Sequence, residues 1–277
     1  MATLAQRRAD VIAAPFDDAP RIAYADHLDA QPGGPDPRAE FVRVQLRLSS
    51  ERFDQPPAAT AGDPNAEIAR RMELLALEQR DKDLLEQYTA TWAADILRMA
   101  SQVRYVRGFV ASVVTTAAGF VQYGAWLLQR APVVYVQLED VLPSLDALVA
   151  CPALAGLRAL SVCGQGLDDD ALRRLVQSPF LASGALWWLE LGDNAIGMRG
   201  LDHLATAGLS KLRYAGLRGN PVDPHETAGV YGHLIQDVAL PPEGEVLEAK
   251  HGPLRWLHFP THSMRDYPPD PHGPPPP

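Results

Sequence analysis

The chain has 277 residues, 47% of them apolar and 21% charged, enough for two modest domains with ordinary globular cores. A formal charge of −9 and a pI near 5.3 exclude a clustered Lys/Arg surface for phosphates, so no nucleic-acid partner is expected. Two cysteines, Cys151 and Cys163, cannot make a disulfide framework, and no Cys/His spacing suggests zinc.

The first hundred residues read as helical. Met1 to Asp10 carries Arg7, Arg8 and Asp10 without an apolar stretch, which argues against a signal peptide and for a cytoplasmic protein. Leu4 to Ala13 is a first helix, ended by Pro15. Asp17 or Asp18 caps a second, with Pro20 near its start and Ile22, Ala25, Leu28 and Asp29 at helical spacing. After the turn Pro32-Gly33-Gly34-Pro35, Asp36 caps a third helix with Pro37 at its first position and Phe41, Val44 and Leu48 as its buried stripe. Residues 54–65 read as an exposed, low-complexity loop. A long helix from about Ala66 to Ala90 follows, with Ile68, Met72, Leu75, Leu84, Leu85 and Tyr88 on its inner side.

Phe109 to Leu128 is free of charge for 20 residues, the length of a bilayer span. Thr115, Thr116, Gly119, Gln122 and Gly124 dilute it, however, and it divides into a strand, Val110 to Val114, and an amphipathic helix. No membrane association is expected.

Beyond Arg104 short β-rich segments alternate with helices every 23 to 29 residues, a repeat signature. Three segments fit LxxLxLxxNxL: 157–167, 186–196 and 212–222, with Asn194 and Asn220 at the asparagine position and Gln165 replacing it once. Weaker copies start at Val110, Val133 and Leu254. Helices are expected at about 117–131, 143–150, 168–178, 197–207 and 225–237, and an irregular cap from Pro241 to Phe259. Leucines pointing inward and asparagines satisfying the turns, stacked as a structural ladder, describe an α/β leucine-rich-repeat solenoid behind a small all-helical N-terminal domain. The expected domains are 1–100, 101–260 and a proline-rich, disordered tail at 261–277, which could alternatively be a polyproline ligand.

The segment 17–48 resembles the bacterial repeat-companion domain. The likeness is carried by Asp18, Pro20, Arg21, Tyr24, Ala25, Asp26, Leu28, Asp36, Pro37, Arg38, Glu40, Phe41, Arg43 and Gln45. His27 stands where that family prefers Trp, and Pro32-Gly33-Gly34-Pro35 is inserted. The resemblance implies a domain that precedes leucine-rich repeats and serves as an interaction or sensor part of bacterial signalling or conflict systems. It implies no catalytic residues.

Strand alternation places Tyr135, Trp188, Tyr214 and Trp256, with Ala159, in one column of a solenoid's concave face. Beside them stand Gln137, Ser161, Glu190, Gly216 and His258, and then Glu139, Cys163, Gly192 and Arg218. Aromatics on an exposed sheet are typical interface anchors, although packing on one another along the sheet explains them equally well. Trp187, Arg158, Arg213 and Arg255 are expected along one solvated edge. Tyr24, Asp26, Arg38, Glu40 and Arg43 read chiefly as a network joining two helices, Asp26 with Arg38 for instance. Acid–base chemistry from Asp26 and His27 is the lesser alternative, because neighbours on a helix diverge.

His225, Glu226 and His233 do not make HExxH, so no metal is expected, nor any cofactor, since GxGxxG, GxxxxGK[ST] and GxSxG are all lacking. Cys163 reads as a plain small residue. The expectation is a non-enzymatic adaptor or sensor binding another protein through Tyr135, Gln137, Trp188, Glu190, Tyr214, Arg218, Trp256 and His258. The alternatives are a regulatory subunit of a signalling or defence complex, or a hydrolase using Asp26.

Overall fold

A computed structural model describes residues 2–33, 35–53, 64–222 and 242–257. The readings of the 54–65 loop over 54–63, of a helix at 225–237, of His225, Glu226, His233 and His258, and of the proline-rich tail lie outside the described residues. The described helices are α1 (Leu4–Ala13), α2 (Ala19–Asp29), α3 (Pro37–Phe53), α4 (Pro64–Trp92), α5 (Ala117–Arg130), α6 (Val141–Val149), α7 (Asp169–Val176), α8 (Pro179–Ser183), α9 (Met198–Thr206) and α10 (Pro242–His251). The strands are β1 (Gln102–Val106), β2 (Phe109–Thr116), β3 (Tyr135–Glu139), β4 (Ala159–Ser161), β5 (Trp188–Glu190) and β6 (Tyr214–Gly216).

The fold is α/β, but the expected solenoid is overturned. One six-stranded sheet runs in the order β1-β2-β3-β4-β5-β6; it is mixed, and it neither closes nor curls. The physical reason lies in what the LxxLxLxxN spacing encodes. It specifies a buried parallel strand followed by an asparagine-held turn, which is a local property that an open α/β sheet also has. The weak copy at Leu254 contributes only an isolated bridge, Ala215 to Leu257, and the expected irregular cap contains α10.

The chain divides into two compact units. The first holds the residues up to Arg98, Val103–Ala111 and Gln129–Val133, so beside the helices expected in residues 1–100 it takes in strand residues of β1 and β2. Thr3 Oγ1 accepts from the Gln6 N–H to cap α1. Asp17, rather than Asp18, receives the Ala19 N–H at the start of α2, and Asp36 receives the Arg38 N–H at the start of α3. Val11, Tyr24, Ala25, Leu28, Ala39, Val42 and Phe109 form one core cluster. The stripe expected on α3 is buried, Phe41 completely. That expected on α4 is not: Ile68, Met72 and Leu75 are exposed and, of the six, only Leu84 is fully buried. At 29 residues α4 outruns the 17-residue α3 against which it packs, so helical period alone overstates its buried length. Ile22 on α2 is likewise exposed.

Arg107 and Gly108 join β1 to β2 as a two-residue turn, at φ 50° and 84°, the left-handed pair of a type I′ hairpin. The turn is fixed by the buried side chain of Gln45, which accepts the Gly108 N–H at 2.7 Å. Arg21, also buried, donates to the Pro15 carbonyl at 2.6 Å and lies over the Phe109 ring. Arg107 reaches the Phe16 carbonyl at 2.7 Å. Burial and the neighbouring Arg107 pull the Arg21 pKa down to about 10, so it stays charged at neutral pH.

The second unit comprises Met99–Gln102, Ser112–Leu128 and the chain from Val134 onward. Here β2 to β6 pair in parallel, with Ser112, Tyr135, Ala159, Trp188 and Tyr214 in one transverse row and Val114, Gln137, Ser161, Glu190 and Gly216 in another. The alternate residues Val136, Leu138, Leu160, Leu189 and Ala215 are fully buried, which is the period-two pattern of a sheet covered on that face. Asn194 Oδ1 accepts the Gln165 and Leu167 N–H groups, and its Nδ2 donates to the Val162, Leu191 and Gly192 carbonyls. Asn220 does the same one strand later, accepting from Ile196 and donating to Leu191 and Leu217.

Gly108 tests the hairpin. A Cβ there would sit 2.5 Å from Val42 Cγ2 and 2.6 Å from Val42 Cα. Gly108→Ala is expected to lose roughly 2–4 kcal/mol from the left-handed backbone and the clash together, measured by urea unfolding. A loss below 0.5 kcal/mol would mean that the turn is not held against α3.

Candidate functional site

Of the residues expected to bind a partner, Tyr135, Gln137, Trp188, Glu190 and Tyr214 stand in two registered rows of the second unit's sheet, while Arg218 and Trp256 lie beyond its strands. Register places Tyr135 and Trp188 on either side of Ala159, and their rings meet edge to face, 5.5 Å apart, across that small residue. Tyr214 stacks on the opposite side of Trp188 at 5.2 Å and 19°. Trp188 is only 6% exposed, while Tyr135 and Tyr214 are half-buried. The three rings thus form a continuous row in which the tyrosines offer surface and the tryptophan is the floor between them. Trp256 is buried too, tied in through its carbonyl, which accepts the Ala215 N–H.

Trp187 departs from its expected solvated edge: it is 2% exposed and belongs to the Ala159–Trp188 cluster. Trp187 stands just before β5, so strand alternation does not govern it, and it packs in one cluster with Ala159 and Trp188. Arg213 Nη1 bonds the Ser210 and Leu212 carbonyls, Arg158 is half-buried, and Arg255 is exposed.

The second row is polar and acidic. Glu190 Oε1 accepts the Gly192 N–H at 3.0 Å, and the carboxylate fills the space beside Gly216, where a Cβ would lie 2.2 Å from Oε2. Burial, with the Asp193 charge as a lesser contribution, raises the Glu190 pKa. Gln137 is half-buried and Arg218 is exposed. The Cys163 thiol faces Asp193 Oδ2 at 3.5 Å, and burial together with that carboxylate pushes its pKa up to about 11. Tyr214 is held protonated by burial, its pKa raised to about 12.

In the first unit the polar residues of segment 17–48 do not converge. Asp26 and Asp29 share Arg43, at 2.8 and 2.6 Å. Glu40 holds Arg80 through two 2.7 Å bonds, which lower its pKa. His27 lies beside Gln31, which is just past the end of α2, and shares with Asp26 a shallow depression also lined by Ala2, Arg7 and Ala23. The expected Asp26–Arg38 pair does not form. Arg38 sits instead among aromatic rings, 4.6 Å from the centroid of Trp92, 5.2 Å from Tyr105, 5.4 Å from Phe109 and 5.5 Å from Phe41. No local pattern announces this box, because its rings come from four separate elements; only Phe41, three residues on, is a sequence neighbour. Among the described residues no group of three or more His, Cys, Asp and Glu could hold a metal, and no helix is long and apolar enough to cross a membrane.

Two titrations follow. A carboxyl whose folded pKa is raised adds stability below its unfolded pKa and loses it as pH rises through the folded value. Glu190→Gln, which keeps an acceptor for Gly192, is therefore expected to raise the urea midpoint at pH 8 and to lose that advantage towards pH 4; equal effects at both pH values would show that the carboxylate is not desolvated. Cys163 is expected to react with iodoacetamide at pH 7.5 on the order of a hundredfold more slowly than an unperturbed thiol, read by mass spectrometry of the labelled peptide. Labelling at the rate of glutathione would contradict its partly buried, carboxylate-facing position. In comparisons with known proteins no family model matches the chain, and no curated protein is similar to it.

Proposed function

We propose that the chain is a non-enzymatic protein-binding module, an adaptor or sensor, whose contact surface is the row Tyr135–Trp188–Tyr214 with Gln137, Glu190 and Arg218 around it. The supporting observation is the packing of two half-buried tyrosines, one edge to face and one stacked, on a buried tryptophan across registered strands. Rings held this way present a rigid apolar patch that loses little conformational entropy on contact. Flanking groups of both signs would orient the partner. The buried positions of Trp188 and Trp256 make them supports of that surface rather than contact residues. A role as the regulatory subunit of a bacterial signalling or defence complex, in keeping with the repeat-companion resemblance of segment 17–48, is one form this binding would take.

A hydrolase using Asp26 has less in its favour. Its carboxylate is engaged by Arg43, Glu40 is engaged by Arg80, and the two do not meet at a common point with His27.

The test is affinity capture from the native organism with wild type and a Tyr135→Ala, Tyr214→Ala double variant, each verified as folded by circular dichroism. These substitutions spare the buried Trp188. One reproducible partner, retained by wild type and reduced at least tenfold by the double variant, is the expected outcome, since two aromatic anchors each contribute on the order of 1–2 kcal/mol. A partner that stays bound to the double variant would remove this face from consideration.

A further inference from the structure

The aromatic box around Arg38 opens on a cavity of about 310 Å³ within the first unit, small for a ligand site but within the usual range. Apolar side chains form much of its wall, among them Leu28, Trp92, Ile96 and Phe109. Three guanidiniums also line it, those of Arg8, Arg38 and Arg130, against two carboxylates, Asp36 and Asp95. Arg130 and Asp95 neutralise each other in a direct ion pair. Asp36 spends Oδ1 on the Arg38 backbone N–H as the cap of α3. That leaves Arg8 and Arg38, neither of which has a salt bridge among the described residues.

Arg38 is the telling case. Its Nη1 is shut off from solvent and has no hydrogen-bond partner. The neutral phenol of Tyr105 acts on it, but that oxygen is also buried without a bond of good geometry. A desolvated guanidinium normally takes a carboxylate as its counter-ion, because leaving the charge unpaired in an apolar setting is costly. Aromatic faces offset only part of that cost. Burial lowers the Arg38 pKa, and Tyr105, Tyr24 and the Asp36 charge offset only part of that. On a protein of formal charge −9, the walls of this cavity carry a formal excess of one positive charge.

We propose that this cavity binds a small organic monocarboxylate with an apolar or aromatic body, its carboxylate between Arg8 and Arg38 and its body against Trp92, Ile96 and Phe109. The single excess charge selects a monoanion. A phosphate dianion would face Asp36 and Asp95 across the same small space, and inorganic phosphate has no surface to offer the rings. The site is distinct from the sheet face of the second unit and does not depend on the protein-binding reading; together they would make the carboxylate an input to the module.

Isothermal titration of the full chain with phenylacetate, 3-phenylpropionate and octanoate tests this, with 3-phenylpropanamide and inorganic phosphate as controls. At least one carboxylate is expected to bind below 1 mM, and the uncharged amide and phosphate at least tenfold more weakly, as loss of a charge-assisted hydrogen bond predicts. Arg8→Gln, at a residue with no ion pair to lose, should weaken the same carboxylate about tenfold without moving the melting temperature. Arg38→Lys keeps the charge but not the planar fork and should weaken it as well. The proposal fails if none of the three carboxylates binds below 10 mM, if the amide binds as tightly as its acid, or if phosphate is preferred. Unchanged carboxylate affinity in Arg8→Gln also overturns it.

Discussion

A parallel strand of three residues cannot hold its own register: it makes too few ladder bonds, and the carbonyls at its end turn into the protein with nothing to meet them. Asn194 and Asn220 remove that difficulty in the second unit. Each sends a short planar amide from the end of one strand into the turn of the strand before it, accepting peptide N–H groups there and donating back to carbonyls. Asn220 is completely buried and Asn194 nearly so. A buried amide with all its bonds made contributes only about 1 kcal/mol per bond net, but one left unmade costs more than that. The pair therefore acts less as a source of stability than as a filter that rejects every other register. The aromatic row exists because of it, since a slip of one residue would turn Tyr135, Trp188 and Tyr214 to the opposite side.

Much of this was legible in the residues, and the parts that were not share a cause. Leucine spacing located β4, β5 and β6 and the helices between them, because burial on one face leaves a period that the chain carries locally. Whether successive strands curl is decided by how the helices fill the layer behind the sheet, and the sequence carries no local trace of that. Helical period in the same way assigned Ile68, Met72 and Leu75 to an inner side that α3 is too short to cover. Trp187 and Trp188 show where alternation stops: it holds within β5, whereas Trp187 lies just before the strand and packs in one cluster with Trp188. The Arg38 box was out of reach, since Phe41, Trp92, Tyr105 and Phe109 approach one another only once the first unit has folded.

The arginines of segment 17–48 show how one residue type takes three roles under different surroundings. Arg43 at the surface bridges two carboxylates on α2, an arrangement of small energetic value that orients α3. Arg21 is buried and serves backbone carbonyls, replacing peptide donors where the chain between α1 and α2 has no regular structure. Arg38 is half-buried among rings, its Nη1 shut off from solvent and without a salt bridge among the described residues. A lysine could follow Arg43 in part, but not Arg21 or Arg38, where a planar group with several donors fits a flat space.

Gly216 and Glu190 divide between them the room of one side chain: the carboxylate occupies the volume that a methyl on residue 216 would need, and it is held there by the Gly192 N–H. Neither position can therefore drift on its own. A larger residue at 216 would evict the carboxylate into solvent and uncover the strand end, while a shorter one at 190 would leave a gap beside a bare backbone. Descendants of this chain are expected to change the two together, passing through few viable single steps, so this corner of the sheet should vary more slowly than its exposure suggests.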